Sequence, residues 1–227
     1  MKKLGTPRLH LRVTDSTNER AKALAAQAPH GLLITAAEQI AGHGRQGRAW
    51  TAPAGEGLLM SLVLRDWPEL LPLAAAVAVA EAVGPEARIK WPNDILVAER
   101  KVAGILVEGR PQEGWAVLGI GVNVAVSAFP AELRDTAGSL GGAPADVEPF
   151  LQRLLALLAK GLNAPSENVI ATWRERDALN GRAVTWNDGE GVAAGVDEEG
   201  RLLVERPDGT TTALNAGEVH LGTVRPA

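Results

Sequence analysis

Residues 32–64 read LLITAAEQIAGHGRQGRAWTAPAGEGLLMSLVL, and the pattern of this stretch sets the fold prediction. Its two ends, residues 32–38 and 58–64, are short apolar runs with the length and composition of buried strands. The segment between them is rich in glycine, carries polar and basic side chains, and has no hydrophobic period. The stretch therefore predicts two strands joined by a long polar segment, within which residues 42–57 are called the glycine loop below.

The glycine loop contains a pattern that also occurs in dinucleotide-binding folds. Gly42, Gly44 and Gly47 spell G-x-G-x-x-G directly after a predicted strand. That motif must open a helix within a strand–helix–strand unit, whereas here the chain runs on into Pro53 and Gly55. A Walker A loop and the kinase signature set do not occur in the sequence either. The loop is therefore not interpreted as a Rossmann or P-loop motif.

Two arginines and one tryptophan give the glycine loop its chemistry. The guanidinium groups of Arg45 and Arg48 suit carboxylate or phosphate, and the indole of Trp50 can stack on a flat ring. This combination favours an anionic ligand that carries a planar base. The competing interpretation is a solvated surface loop without a ligand.

Hydrophobic periodicity assigns the rest of the first 180 residues to a mixture of strands and helices. Predicted strands cover residues 9–13, 88–91 and 116–126, with a hairpin of 94–98 and 102–107 about residues 99–101. Predicted helices cover residues 16–28, 70–83, 147–162 and 167–179, the last begun by Ser166. The apolar content of residues 116–126 predicts that both faces of this strand are covered.

The pattern of residue types changes from Gly181 onward. Short β-branched runs alternate there with Asp-Gly and Glu-Gly turns, which is typical of a small β-barrel. The predicted strands are residues 183–186, 191–196, 202–205, 210–214 and 219–224. We therefore place a domain boundary near residue 180.

Composition excludes several classes of chemistry. Cysteine is absent, which rules out disulfides, thiolate nucleophiles, zinc-thiolate sites and iron–sulfur clusters. The 23 basic and 27 acidic side chains sum to −4, so no overall charge favours a polyanionic partner. The N-terminus lacks the apolar segment of a secretion signal, and the longest apolar run is about half of the ~20 residues that a bilayer span needs. These features predict a cytoplasmic protein without a membrane segment.

Three further motifs carry polar groups at predicted element ends. Lys90-Trp91-Pro92-Asn93-Asp94 turns sharply after a strand, but an exposed lysine and an ordinary hairpin would explain it equally. Asp15-Ser16-Thr17-Asn18-Glu19 fits a helix capping box and also a polar receptor at a helix N-terminus. Asn123 stands inside the apolar run of residues 116–126, in the stretch Gly119-Ile120-Gly121-Val122-Asn123-Val124, where its amide would contact either a neighbouring loop or a ligand.

Taken together in this order and spacing, the motifs resemble those of the biotin protein ligases. The resemblance rests on residues 15–18, 38–39, 42–50 with Pro53 and Gly55, 90–94, 101–108 and 119–123. It implies an α+β fold with a mixed β-sheet catalytic domain, related to lipoate ligases and class II synthetases, in residues 1–180. It also implies an SH3-like C-terminal β-barrel in residues 181–227, which agrees with the boundary placed from the change in residue pattern alone.

The resemblance implies roles for particular residues. Lys90 and Arg45 would be catalytic. Biotin would contact Ser16, Thr17, Asn18, Gln39, Gly42, His43, Gly44, Arg45 and Lys90. ATP and the adenylate would contact Arg48, Trp50, Asn93, Lys101 and Asn123. No metal ligand is implied, and Mg²⁺ would accompany ATP. The chain departs from the family at His43 and Gln46, often arginine, at Ala52, commonly serine, and at Leu59, frequently tyrosine.

The activity implied by the resemblance has two steps. Biotin and ATP would give biotinyl-5'-AMP, and a lysine of a biotin carboxyl carrier protein would then accept the biotin. Only 14 residues precede Asp15, too few for a winged helix with three helices of ~11 residues, so DNA binding is not expected. A homodimer is one option for the oligomeric state. The alternatives are a lipoate or octanoate ligase of the same superfamily and a non-catalytic biotin-binding module.

Overall fold

The computed structural model describes residues 3–215 and 219–221, which form two β-sheets and four α-helices. The elements of the first sheet and the helices are β1 Arg8–Thr14, α1 Thr17–Ala25, β2 Leu33–Gln39, β3 Gly57–Leu64, α2 Leu71–Val83, β4 Arg88–Lys90, β5 Asp94–Val97, β6 Arg100–Arg110, β7 Trp115–Asn123, α3 Val147–Gly161 and α4 Ser166–Glu175. The elements of the second sheet are β8 Ala183–Trp186, β9 Gly189–Val196, β10 Leu202–Glu205, β11 Thr211–Leu214 and β12 His220–Leu221.

The first sheet has seven strands in the order β1-β2-β3-β7-β6-β5-β4. β1 and β2 are parallel and joined by α1, whereas every other neighbouring pair is antiparallel. A parallel pair needs a crossover and an antiparallel pair needs only a turn. The mixed sheet that the family resemblance implies is therefore confirmed.

Helices cover both faces of this sheet. On one face, α2, α3 and α4 pack over a large apolar cluster that includes Leu118 and Trp173. On the other face, α1 packs Ala21 and Ala25 against a smaller cluster that contains Ile34 and Val117. Alternate residues of β7 thus enter the two clusters, as the uniformly apolar sequence of this segment predicts.

The position of α1 is set at both of its ends. Its N-cap is Ser16, whose side chain accepts a hydrogen bond from the amide of Glu19 at 3.5 Å. At the other end, the guanidinium of Arg65 donates to the carbonyls of Ala25, Ala26 and Ala28. Those carbonyls have no intrahelical donor, so Arg65 supplies the hydrogen bonds that a helix C-terminus leaves unmade.

The glycine loop has more local order than its sequence pattern suggests. Arg45–Gly47 form a single 3₁₀ turn, with Gln46 in the left-handed region at φ 56°. His43 and Ala49 form a β-bridge around this turn, and the amide of Trp50 donates to the carbonyl of Gly42 at 2.9 Å. The loop therefore doubles back on itself and returns Trp50 to the sheet.

Several predicted boundaries are wrong. Helix α1 ends at Ala25 rather than at residue 28, and β7 ends at Asn123 rather than at residue 126. Two further differences have a clear cause. The β5–β6 turn is formed by Ala98 and Glu99, both with positive φ, so Lys101 lies within β6 rather than in the turn. Helix α4 ends at Glu175, four residues before the predicted end. It ends there because the chain leaves the helix to pair with β4: the amide of Ile89 donates to the carbonyl of Arg176 at 2.7 Å.

The second sheet is antiparallel in the order β11-β10-β9-β8-β12. Gly200 and Gly209 have positive φ in its turns, as the sequence predicts, whereas the first turn lies one residue earlier than predicted because Gly189 already belongs to β9. The sheet is consistent with the expected SH3-like barrel, although β11 and β12 do not pair within the described residues. Residues 222–224 of the last predicted strand lie outside the described residues.

The two sheets are packed together. The indole N–H of Trp91 donates to the carbonyl of Gly200 at 3.1 Å, and Arg174 donates to the carbonyl of Val196. Leu202 and Val204 belong to the same apolar cluster as α2. Within residues 3–215 and 219–221, no helix has the length and apolar character needed to cross a bilayer.

Candidate functional site

The predicted site residues gather around one open cavity on the face of the first sheet that α1 covers. Its lining comes from the N-terminus of α1, the glycine loop, β3, the β4–β5 turn, β6 and β7. The lining includes twelve of the fourteen predicted residues: Ser16, Thr17, Asn18, Gln39, His43, Gly44, Arg45, Arg48, Trp50, Lys90, Asn93 and Lys101. With Gly119, Ile120 and Gly121 also in the lining, the topology joins all six sequence motifs in one place.

One end of the cavity is a network of uncharged polar groups at the N-terminus of α1. The side-chain carbonyl of Gln39 accepts from the amide of Thr17 at 2.7 Å and lies 2.9 Å from its hydroxyl. The hydroxyl of Ser61 lies 2.8 Å from Thr17 Oγ1 and 2.6 Å from Asn18 Oδ1. These groups are nearly all buried, so their hydrogen bonds hold them in a defined arrangement.

Glycines on β6 and β7 form the floor of the cavity. A Cβ atom at Gly119 would lie 2.1 Å from Asn18 Oδ1, and one at Gly121 would lie 2.4 Å from Trp50 Cε2. Gly104, paired with Gly121 across the sheet, would place a Cβ 3.1 Å from Trp50 Cζ3. The missing side chains therefore make the space in which Asn18 and Trp50 lie on the sheet.

The other end of the cavity carries the charged groups. Lys101 Nζ lies 2.7 Å from Asp94 Oδ1 and 5.5 Å from the centre of the Trp50 ring. Lys90, at the end of β4, lines the cavity, and its ammonium has no hydrogen bond or ion pair with the described part of the chain. Arg45 and Arg48 face the same space from the glycine loop.

Two predicted residues lie outside the lining. The Asn123 amide is buried and donates to the carbonyl of Gly138 at 2.9 Å, which matches the structural interpretation of this motif. Gly42, the first residue of the glycine loop, does not line the cavity, and a Cβ there would come within 2.5 Å of both Gln39 Nε2 and the Trp50 carbonyl oxygen. Asn93 lines the cavity while donating to the carbonyl of Ile105 at 2.8 Å, so it also fixes its own turn.

Sequence reasoning missed a charged cluster beside the polar end. Glu108 of β6 accepts from Asn18 Nδ2 and from Lys22 Nζ, both at 2.8 Å. Lys22 Nζ also lies 2.6 Å from Glu19 Oε1. Glu108 stands within a motif used for the resemblance, but nothing in its spacing indicates that β6 places it opposite α1.

The cluster shifts the pKa values of its members. Burial alone would raise the pKa of the Glu108 carboxyl, but the hydrogen bonds from Lys22 and Asn18 outweigh it and lower that pKa. Burial alone would lower the pKa of Lys22, but its bonds to Glu108 and Glu19 raise it. Both groups are therefore held in their charged forms at neutral pH.

A metal ion is not needed to explain this cluster. Ligand atoms of Glu19, His43 and Glu108 lie within 4.8 Å of one another. The ammonium of Lys22 already lies 2.6 to 2.8 Å from both carboxylates and supplies the positive charge there. We assign no metal to these residues.

Comparison with known proteins places the chain in a family. The model of the biotin/lipoate A/B protein ligase family matches residues 10–124, which contain every residue that lines the cavity except Val219. The model of the biotin protein ligase C-terminal domain matches residues 180–222. The chain belongs to the biotin/lipoate A/B protein ligase family.

Several relatives of this biotin/lipoate ligase family member match over most of its length. The bifunctional ligase/repressor BirA of Bacillus spizizenii is 36% identical over 245 residues, covering 96% of this chain and 75% of the relative. The biotin--[acetyl-CoA-carboxylase] ligase of Mycobacterium tuberculosis is 35% identical over 233 residues, covering 91% and 85%. The biotin protein ligase of Aquifex aeolicus in complex with biotin and ATP superposes with a TM-score of 0.84 at 27% identity, covering 99% and 100%.

The floor of the cavity gives a first prediction. We expect Gly121→Ala to lower the free energy of unfolding by about 1 to 3 kcal/mol, because the added methyl overlaps the Trp50 indole. Denaturant unfolding of Gly121→Ala, Trp50→Ala and the double variant measures the coupling between the two sites. The cost of the added methyl should largely vanish in the Trp50→Ala background. An equal cost in both backgrounds would contradict the contact.

The charged cluster gives a pH-dependent prediction. The pKa of Glu108 lies below its usual 4.5, so its stabilising contribution is present above that pH and is lost as the pH falls through the lowered value. We expect Glu108→Gln to cost about 1 kcal/mol at pH 7 and progressively less below pH 4.5. Urea unfolding between pH 3.5 and pH 7 measures this, with the exposed Glu132→Gln as the matched control. A cost that does not change with pH would refute it.

Proposed function

We propose that this chain is a biotin protein ligase, which activates biotin with ATP and transfers it to a lysine of a biotin carboxyl carrier protein. The observation that carries the proposal is one continuous cavity whose neutral polar end leads into a cationic end beside an indole. Biotin has a neutral ureido ring and a carboxylate at opposite ends, and ATP brings phosphates and a purine. The order of groups along the cavity suits both molecules at once.

The neutral end is the proposed receptor for the biotin ring. Thr17 fixes the side-chain carbonyl of Gln39, which leaves the Gln39 amide nitrogen as a donor for the ligand. Ser16 and Asn18 add further polar groups of the same helix terminus. A ureido group both donates and accepts hydrogen bonds, so it pairs with such a set without requiring a charge.

The cationic end is the proposed place of reaction. In the first step the biotin carboxylate attacks the α-phosphorus of ATP, a bond forms between them, and pyrophosphate leaves. Two anions must approach, so the protein's contribution is alignment and charge neutralisation. Lys90 is proposed to lie at the carboxylate and the α-phosphate, and Arg45 and Arg48 at the surrounding oxygens, while Trp50 and Asn93 contact the nucleotide.

Mg²⁺ is proposed to enter with ATP. Among the described lining residues, Asp94 alone carries a carboxylate, and its Oδ1 already lies 2.7 Å from Lys101 Nζ. Such a cavity suits an ion carried mainly by substrate phosphates, as Mg²⁺ usually is. When bound, the ion would neutralise charge on the phosphates.

In the second step the ε-amine of the carrier lysine is proposed to attack the carbonyl carbon of biotinyl-5'-AMP, forming an amide and releasing AMP. The intermediate must be kept from water until the carrier arrives. The glycine loop borders the cavity between the biotin and adenylate groups, where it would cover the mixed anhydride. Its backbone turns and its short 3₁₀ segment are compatible with that role.

Further proposals concern the organisation of the protein. We propose a catalytic domain in residues 1–180 and an SH3-like domain in residues 181–227, a cytoplasmic location, and a homodimer as one option for assembly. The alternatives are a lipoate or octanoate ligase and a non-catalytic biotin-binding module. ATP–pyrophosphate exchange with biotin, lipoate and octanoate in parallel separates the ligases. Transfer of labelled biotin to a carrier-domain lysine excludes the binding module.

Lys90 gives a direct test of the first step. We expect Lys90→Ala to lower biotin-dependent ATP–pyrophosphate exchange by about 10²- to 10³-fold, because the compact charge between two oxyanions is lost. The matched control is Lys160→Ala, which removes an exposed lysine on α3 and should leave the rate unchanged. Exchange by Lys90→Ala at the wild-type rate would refute the assignment.

Arg45 gives a test of the intermediate's retention. We expect Arg45→Ala to release biotinyl-5'-AMP about 10-fold faster or more, since a charge-assisted hydrogen bond contributes about 1.5 to 3 kcal/mol. Release of pulse-labelled intermediate on dilution into unlabelled ligand measures this. Arg110→Ala, at the exposed end of β6, is the control. An unchanged release rate in Arg45→Ala would contradict the proposal.

A further inference from the structure

His43 brings the glycine loop against the charged cluster of α1 and β6. Its Nε2 lies 3.4 Å from Glu19 Oε1 and 4.0 Å from Glu108 Oε2. Its Nδ1 lies 3.4 Å from the carbonyl oxygen of Ala41. Both ring nitrogens thus face acceptor oxygens. Nδ1 faces the carbonyl of Ala41, which directly precedes the glycine loop, and Nε2 faces the carboxylate of Glu19 on α1.

The protonation state that satisfies this arrangement follows from the chemistry of imidazole. A neutral ring has one N–H and one lone pair, so either tautomer turns a lone pair toward an acceptor oxygen. The imidazolium has two N–H groups and satisfies both acceptors. Histidine changes between these forms in the range of pH 5 to 8, which includes the working range of most proteins.

The charged groups that face His43 come from two elements of the fold. Helix α1 contributes Glu19 and Lys22, and β6 contributes Glu108, so two carboxylates face one ammonium. The group has a net charge of −1 without His43, and protonation of the ring neutralises it. The charge of His43 also contributes to the lowered pKa of Glu108.

We propose that Glu19 is a positioning residue, which holds the glycine loop over the cavity through a protonated His43. The contact joins α1, whose N-terminus forms the neutral end of the cavity, to the loop that carries Arg45. The ion pair with Glu19 exists only while the His43 ring carries a proton on both nitrogens. The loop is therefore held more firmly in the protonated form of the ring than in the neutral form. The consequence for retention of biotinyl-5'-AMP rests on the proposed function, whereas the contact itself does not.

The first experiment tests the contact in the ligand-free protein. Hydrogen exchange of peptides that cover residues 42–50, corrected for intrinsic exchange rates, is followed from pH 5.5 to pH 8.5. For wild type we expect protection to fall about two- to five-fold between pH 6 and pH 8, the range of a partly exposed ion pair. His43→Arg keeps a fixed charge and should show no such fall. His43→Gln and Glu19→Gln should show low protection throughout, and His10→Gln, an exposed histidine on β1, should behave as wild type.

The second experiment tests the consequence for the reaction. Release of labelled biotinyl-5'-AMP is measured over the same pH range, and the wild-type rate should rise with pH relative to that of His43→Arg. If neither wild type nor any variant forms the adenylate, the proposed function fails. The hydrogen-exchange data would still show whether the contact between His43 and Glu19 holds the loop. Identical pH courses in wild type and His43→Gln would overturn the inference. A loss of protection on adding EDTA would also overturn it, in favour of a bound cation.

Discussion

The contact on which the rest of the site depends is the one between large side chains and the bare backbone of two adjacent strands. Asn18 and Trp50 lie where the Cβ atoms of Gly119 and Gly121 would stand. Any larger residue at these positions would push α1 and the end of the glycine loop away from the sheet. Both side chains also line the cavity, so this close approach sets how near α1 and the loop lie to its floor.

Much of the fold follows from patterns that are local in sequence. Apolar runs predict the strands, and the crossover by α1 explains the one parallel pair. The clearest error arises where a distant partner decides the local structure, because α4 ends where Arg176 pairs with β4. The pattern of residues within one segment contains no information on partners that are distant in the sequence.

The site was predictable to the extent that its residues stand in unusual surroundings. Lys90 and Asn93 interrupt an apolar neighbourhood, and Arg45 and Trp50 lie among glycines, so the sequence marks them. Glu108 and Lys22 are ordinary charged residues in an ordinary strand and helix. Their contact joins positions 86 residues apart, and only the packing of α1 on β6 reveals it.

The packing of the two sheets has a consequence for folding. Apolar residues of the C-terminal strands, among them Val184 and Leu202, belong to the same cluster as α2 and β7. A shared core couples the stability of its parts, so the two sheets should unfold in a single cooperative transition. Recombinant fragments that end near residue 180 would leave this cluster open to solvent and would be prone to aggregate. The small sheet is thus an integral part of the molecule's foldable unit.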